Sequence, residues 1–232
     1  MLYRNLILRL LLVLPPETAQ NLAEIVLRRN IPWILLGKYI KTDMPQLNTK
    51  VCGISLSSPI GLAAGFDKDF RMLHSLSELD FGYLTGGTVM LNPQPGHPKP
   101  RLIRDVKRNA ILNSMGFPSK GLGFVIESVK SMSKSKLSPV FGSISGTDIN
   151  AIQTSCTRLS PFVSGIEVNI SSPNTSGLKT FHDPTKLSEM IRAIRDITDK
   201  PLIVKLPPHS DENTEIDAAV KLAGSCIDSG AN

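Results

Sequence analysis

Cysteine is scarce in this chain: Cys52, Cys156 and Cys226 stand alone among 232 residues, with no C-x-x-C pair. An odd, scattered set argues against a disulfide framework or a zinc site and fits a reducing compartment. The four histidines (His74, His97, His182 and His209) also lack ligand spacing, so no metal is expected. Aromatic residues reach only 5%, and no Lys/Arg block interleaves with them. The densest basic stretch, Lys130 to Lys136, is interspersed with serines and reads as a solvated helix end or loop. Nucleic acid is therefore not an expected partner. The formal charge of +6 still suits anionic lipid headgroups or anionic small ligands. Long apolar runs are missing too. The run from Leu6 to Leu14 is interrupted by Arg9 and closed by Pro15-Pro16, short of the roughly 20 residues that span a bilayer. No small-x-small cleavage pattern follows it, as a secretory leader would require.

Residues 1–41 differ in texture from the rest. A second helical pattern places Leu22, Ile25 and Val26 on one face and ends at Arg28-Arg29, followed by Ile31-Pro32-Trp33-Ile34-Leu35-Leu36. Two short, apolar, arginine-bearing helices joined by prolines suit two roles equally. They cap a core, or they lie flat in a membrane interface with basic residues toward the headgroups.

From about residue 50 short apolar runs alternate with helical patterns. Strands are expected at Pro59–Ala64, Tyr83–Gly87, Val140–Ile144, Gly165–Ile170 and Leu202–Leu206, with helices at Pro184–Ile197 and Thr214–Ser225 among those between them. That alternation means βα units, a parallel sheet and an α/β fold class. The strand ends are polar: Lys68 after the first, Thr88 after the second, Asn169 and Ser172 around the fourth, Lys205 in the fifth. In a βα barrel those ends build the active site. No internal repeat or low-complexity tract is present.

Four segments carry chemistry. Gly61-Leu62-Ala63-Ala64-Gly65-Phe66-Asp67-Lys68 joins a small-residue strand end to a lysine. Small side chains let a flat ring approach the backbone, and Lys68 offers a cation to it; a tight βα turn with a surface lysine reads equally well. Asn92 to Arg101 holds four prolines in ten residues, which forbids a helix and favours a rigid extended turn. Asn113-Ser114-Met115-Gly116-Phe117 then sets an amide, a glycine and an aromatic together, as a planar polar ligand or an ordinary loop would. Asn169-Ile170-Ser171-Ser172-Pro173-Asn174-Thr175 crowds amides and hydroxyls at a strand end. Asn side chains pair donors with acceptors, which suits a uracil-like ring. Ser172 is a candidate base, provided a relay removes its proton, since a hydroxyl is weakly acidic.

These segments, in this order and spacing, resemble those of dihydroorotate dehydrogenases, over residues 1 to about 230. Serine at position 172, where the soluble class 1 enzymes have cysteine, and the helical N-terminal extension are similar to the quinone-linked class 2. The resemblance implies a (β/α)8 barrel of TIM type with FMN over the strand ends, a helical membrane-associated segment at 1–45 and the barrel at 46–232. It implies that Ser172 takes a proton from dihydroorotate and that Ala63, Ala64, Gly65, Thr88, Asn169 and Lys205 contact FMN. Lys68, Asn113, Ser114, Met115, Gly116, Phe117, Asn169 and Asn174 would hold the substrate ring. It also implies a quinone acceptor, orotate as product and a peripheral site on the cytoplasmic face of the membrane.

The match departs in places. Ile144 and Pro118 replace asparagines of class 2, and Val204-Lys205-Leu206-Pro207-Pro208 is closer to class 1 wording. Five strands are legible where a closed barrel has eight. The expectation is a fragment or truncated product that holds the catalytic serine and part of the FMN site. The competing readings are a soluble class 1 or dihydropyrimidine dehydrogenase-like flavoprotein, and an inactive piece.

Overall fold

The computed structural model describes residues 6–41, 44–132, 137–172, 175, 177–209 and 212–232; Lys134 and Lys136 of the basic stretch and Asn174 lie outside them. Three helices open the chain: α1 (Leu8–Val13), α2 (Pro16–Leu27) and α3 (Asn30–Ile40). Prolines set the first junction, with Pro15 before α2 and Pro16 at its first turn, where a missing N–H costs nothing. A short hairpin follows, β1 (Thr49–Val51) and β2 (Ile54–Leu56).

The body is a five-stranded parallel sheet. Its strands are β3 (Gly61–Leu62), β4 (Tyr83–Val89), then β7 (Val140–Ile144), β8 (Gly165–Asn169) and β9 (Leu202–Lys205), in that spatial order. Helix α4 (Leu73–Ser77) links β3 to β4, and between β4 and β7 the chain forms the hairpin β5 (Leu102–Asp105) and β6 (Ala110–Asn113), and α5 (Leu122–Met132). Helices α6 (Ile149–Leu159) and α7 (Pro184–Arg195) form the next two crossovers, and α8 (Asn213–Asp228) follows β9. Two helix starts are specified locally. Asp148 accepts from Ala151 N at 2.8 Å, and Asp183 accepts from Thr185 N and Lys186 N at 3.0 Å each, with Pro184 at the first position.

Strand alternation separates two faces. Leu84, Ile144, Ile166, Val168 and Leu202 turn toward the helices and join Val125, Ile152, Leu159, Leu187, Ile191 and Ile194 in one buried core. Ile144 thus belongs to the helix-facing core, and its neighbour Ser143 takes the opposite face. On that opposite face the register sets Ser143 beside Glu167, and Asn169 beside Lys205. β3 is shorter than the expected Pro59–Ala64, because only Gly61 and Leu62 find ladder partners in β4.

Helix α2 docks with its polar stripe inward. Glu17, Gln20 and Glu24 share one face; Leu22, Ile25 and Val26 are left exposed. The three polar residues hold Arg101, the Phe66 carbonyl and Arg71.

Candidate active site

The polar strand ends surround a cavity of about 550 Å³ on the face away from the helices, a size ordinary for small-molecule sites. Ala64, Gly65 and Lys68 reach it from the end of β3, Thr88 from β4, Asn169 and Ser172 from β8, and Lys205 from β9. Asn113, Ser114, Met115, Gly116 and Phe117 close it from the end of β6. The sequence-predicted residues therefore converge, with two exceptions. Ala63 is not among the lining residues, and Asn174 lies outside the described ones. Gln20, Leu102, Pro118, Ser171 and Pro208 also line the cavity and were not anticipated. Gln20 had a signal, the polar spacing 17, 20, 24 along one face of the helix.

Backbone geometry opens the floor. Gly65 has φ +108°, its N–H donates to the Gly87 carbonyl at 2.7 Å, and a Cβ added there would meet nothing within 4 Å. Gly87, at φ +115°, tolerates no side chain: a Cβ would lie 2.3 Å from the Ser143 carbonyl oxygen. Just beyond it the pairing of β4 with β7 slips between Gly86 and Val89. That irregularity turns Thr88 onto the cavity side, where its hydroxyl accepts from Asn169 Nδ2 at 2.8 Å.

The proline-rich segment has a clear task. Gln94 Nε2 donates to the carbonyls of Gly116 and Phe117 at 3.2 and 2.8 Å, and His97 N donates to the Met115 carbonyl at 3.0 Å. It braces the Asn113–Phe117 wall from behind.

Two side chains carry reactive character. Ser172 Oγ and Thr175 Oγ1 lie 2.8 Å apart, so a proton leaving the serine has a neighbouring hydroxyl to enter. Lys68 is held below the usual lysine range chiefly by burial; Asp69 opposes the shift and Arg101 adds to it. Asp67 beside it is pushed up by burial, although it accepts from Arg71 N and Met72 N at 2.8 Å each. Those bonds make Asp67 a brace for the lysine loop. A second cavity of about 270 Å³ adjoins the first under α2, sharing Gln20, Lys68, Leu102, Met115 and Pro118.

The sequence profile of the dihydroorotate dehydrogenase family matches residues 46–229. The chain belongs to the dihydroorotate dehydrogenase family. A relative from Mycobacterium tuberculosis, named dihydroorotate dehydrogenase (quinone), is 37% identical over 238 residues, covering 94% of this chain and 64% of its own length. One of the same name from Kineococcus radiotolerans is 36% identical, covering 95% and 66%. The DHODH of Eimeria tenella in complex with ferulenol superposes with a TM-score of 0.78 at 26% identity, over 93% of this chain and 64% of that one. The chain thus spans slightly less than two-thirds of these relatives, and its parallel sheet fits a partial α/β barrel of the dihydroorotate dehydrogenase type.

The residues at hand fit a flavin. A bare glycine backbone open to the cavity, buried Thr88 and Asn169 hydrogen-bonding groups, and the Lys205 cation suit a flat ring rich in N–H and C=O groups.

Proposed function

We propose that this chain carries the dihydroorotate-oxidising site of an FMN-dependent, quinone-linked dihydroorotate dehydrogenase, which forms orotate in pyrimidine (UMP) biosynthesis. The observation that carries the reading is the convergence of Lys68, Thr88, Asn113, Asn169, Ser172 and Lys205 on one cavity from five separate chain segments. Ala64, Gly65, Thr88, Asn169 and Lys205 would hold FMN, which supplies the acceptor for the hydride leaving C6. Lys68 and the Asn113–Phe117 wall, with Asn169 and Asn174, would seat the substrate's carboxylate and ring. Ser172 Oγ takes the C5 proton and passes its own toward Thr175. Lys205 sets a cation where negative charge accumulates during the reaction, which favours that charge.

In this reading residues 46–232 contribute five units to a (β/α)8 barrel, and residues 1–45 form a separate lipid- and quinone-facing segment. No helix among the described residues is long and apolar enough to cross a membrane. The exposed Leu22, Ile25, Ile34 and Leu35 favour peripheral attachment to a membrane, with the second cavity under α2 as the quinone's approach.

Anaerobic addition of dihydroorotate to the FMN-loaded chain tests this. The flavin absorbance should bleach, and Ser172→Ala should retain flavin but bleach about 10²- to 10⁴-fold more slowly. A chain that takes up no FMN, or a variant that bleaches at the wild-type rate, refutes the proposal.

A further inference from the structure

Behind the cavity wall a chain of hydrogen bonds runs through four side chains of the inner sheet face. Ser143 Oγ donates to Glu167 Oε1 at 2.6 Å. A carboxylate only accepts, so the one hydroxyl hydrogen of Ser143 is committed there. Ser143 Oγ and Thr88 Oγ1 lie 3.0 Å apart, and the hydrogen between them must then belong to Thr88. Thr88 Oγ1 accepts from Asn169 Nδ2 at 2.8 Å. The Asn169 amide cannot be turned over, because its Oδ1 accepts from the Ser171 backbone N–H at 3.0 Å and from Ser171 Oγ at 2.7 Å.

Two groups are left over toward the cavity that Thr88 and Asn169 line: one lone pair on Thr88 Oγ1 and one N–H on Asn169 Nδ2. We infer that Glu167 and Ser143, which do not themselves line the cavity, fix the polarity of this chain so that its open end presents an acceptor beside a donor, complementary to the N–H/C=O edge of the flavin's pyrimidine half. This rests on the flavin reading above. They are positioning residues, acting through Thr88 and Asn169. With Ser143 fully buried and Thr88 and Asn169 only 6% and 4% exposed, water offers little rescue for a mismatched donor. Were position 167 able to donate, Ser143 could hand its hydrogen to Thr88. The Thr88 hydroxyl would then aim a donor at the ring N–H.

The sheet builds this device unaided. The β7–β8 register sets Ser143 opposite Glu167, residues 167 and 169 share a face by alternation, and the β4 irregularity brings Thr88 over them.

The test is titration of the full chain with FMN and with N3-methyl-FMN, followed by fluorescence. The wild type should prefer FMN by about tenfold, the scale of one buried hydrogen bond from the ring N–H. Glu167→Gln and Ser143→Ala should each collapse the preference toward unity, and the double variant should go no further, because both act on one path. Thr88→Val should do the same and Thr88→Ser should retain the preference. A purely structural role would lower the melting temperature and leave the ratio alone. Glu167→Gln is isosteric and keeps the test alive if Ser143→Ala unfolds. A wild type that binds both flavins equally, or variants that keep its preference, overturns the inference while the flavin reading stands. A wild type that binds neither overturns both.

Discussion

Lys68 lies between the two cavities, and its burial sets fold and function against each other. Its lowered amine value means that the folded chain binds this proton less tightly than the unfolded chain does. Stability therefore rises with pH across the window between the folded and the ordinary lysine value. Below that window the charged amine is a net cost to the fold, which an anionic ligand against it would relieve. Lys68→Met keeps the apolar stem and removes the charge. It should raise the melting temperature by about 2–4 °C, the change that 1 kcal/mol makes in a chain of this size, and weaken orotate binding about tenfold. Thermal melts and calorimetric titration measure both. A lower melting temperature with unchanged orotate affinity would make Lys68 a structural lysine. Ser172 shows no such tension: its half-buried hydroxyl already has Thr175 as a partner, so its replacement should be felt in rate and little in stability.

Elements were legible where local chemistry set their limits. Val140–Ile144 emerges as read, and α7 starts where Asp183 caps it and Pro184 opens it. The polar strand ends Thr88, Asn169 and Lys205 were legible by the same token, since parallel strands gather their ends. The β5–β6 hairpin was not, because its turn, Val106 to Asn109, has no glycine or proline and relies on Asn109 at φ 50°. The Glu167–Ser143 pair was invisible because it depends on register between strands 24 residues apart. For α2, periodicity told which residues share a face, not which face turns inward. Partners far along the chain decide that: Glu17 takes Arg101 through two contacts of 3.1 Å, and Gln20 Nε2 donates to the Phe66 carbonyl at 3.1 Å. Arg101 holds Glu17 below the usual carboxylate range, helped by Lys99, so this docking contributes above the ordinary glutamate value and is lost as pH falls through the depressed one. The apolar face is then left outward, where the proposed membrane attachment would use it. Ile25→Glu with Leu35→Glu, at positions 58% and 54% exposed, should leave the melting temperature nearly unchanged. Flotation with anionic vesicles should fall about tenfold per residue. Equal flotation of variant and wild type would place the lipid contact elsewhere or nowhere.

At the scale of the whole molecule, the cavity is where the sheet, the β5–β6 hairpin and α2 meet. Gln20, Gly65, Thr88, Met115, Ser172 and Lys205 come from six stretches of chain, and nearly all the core that ties them together lies on the other side of the sheet. The inner face has few apolar contacts of its own; it offers polar groups with unused hydrogen-bonding capacity, such as the Thr88 lone pair and the Asn169 N–H. A ligand seated there would bridge these segments and supply the inner face with contacts that the unfolded chain cannot make. Binding to the folded state alone stabilises by mass action, about 2.7 kcal/mol at a hundredfold excess over the dissociation constant. For a chain of this size that corresponds to a melting temperature raised by about 5–10 °C. FMN should produce that rise, and orotate added with FMN should extend it, since Lys68 and the Asn113–Phe117 wall lie on the same cavity. Hydrogen exchange should show protection gained together at the ends of β4, β8 and β9 and in residues 113–117. If exchange slows at one strand end only, the cavity acts as separate surfaces, and the convergence that supports the dihydroorotate reading loses its force.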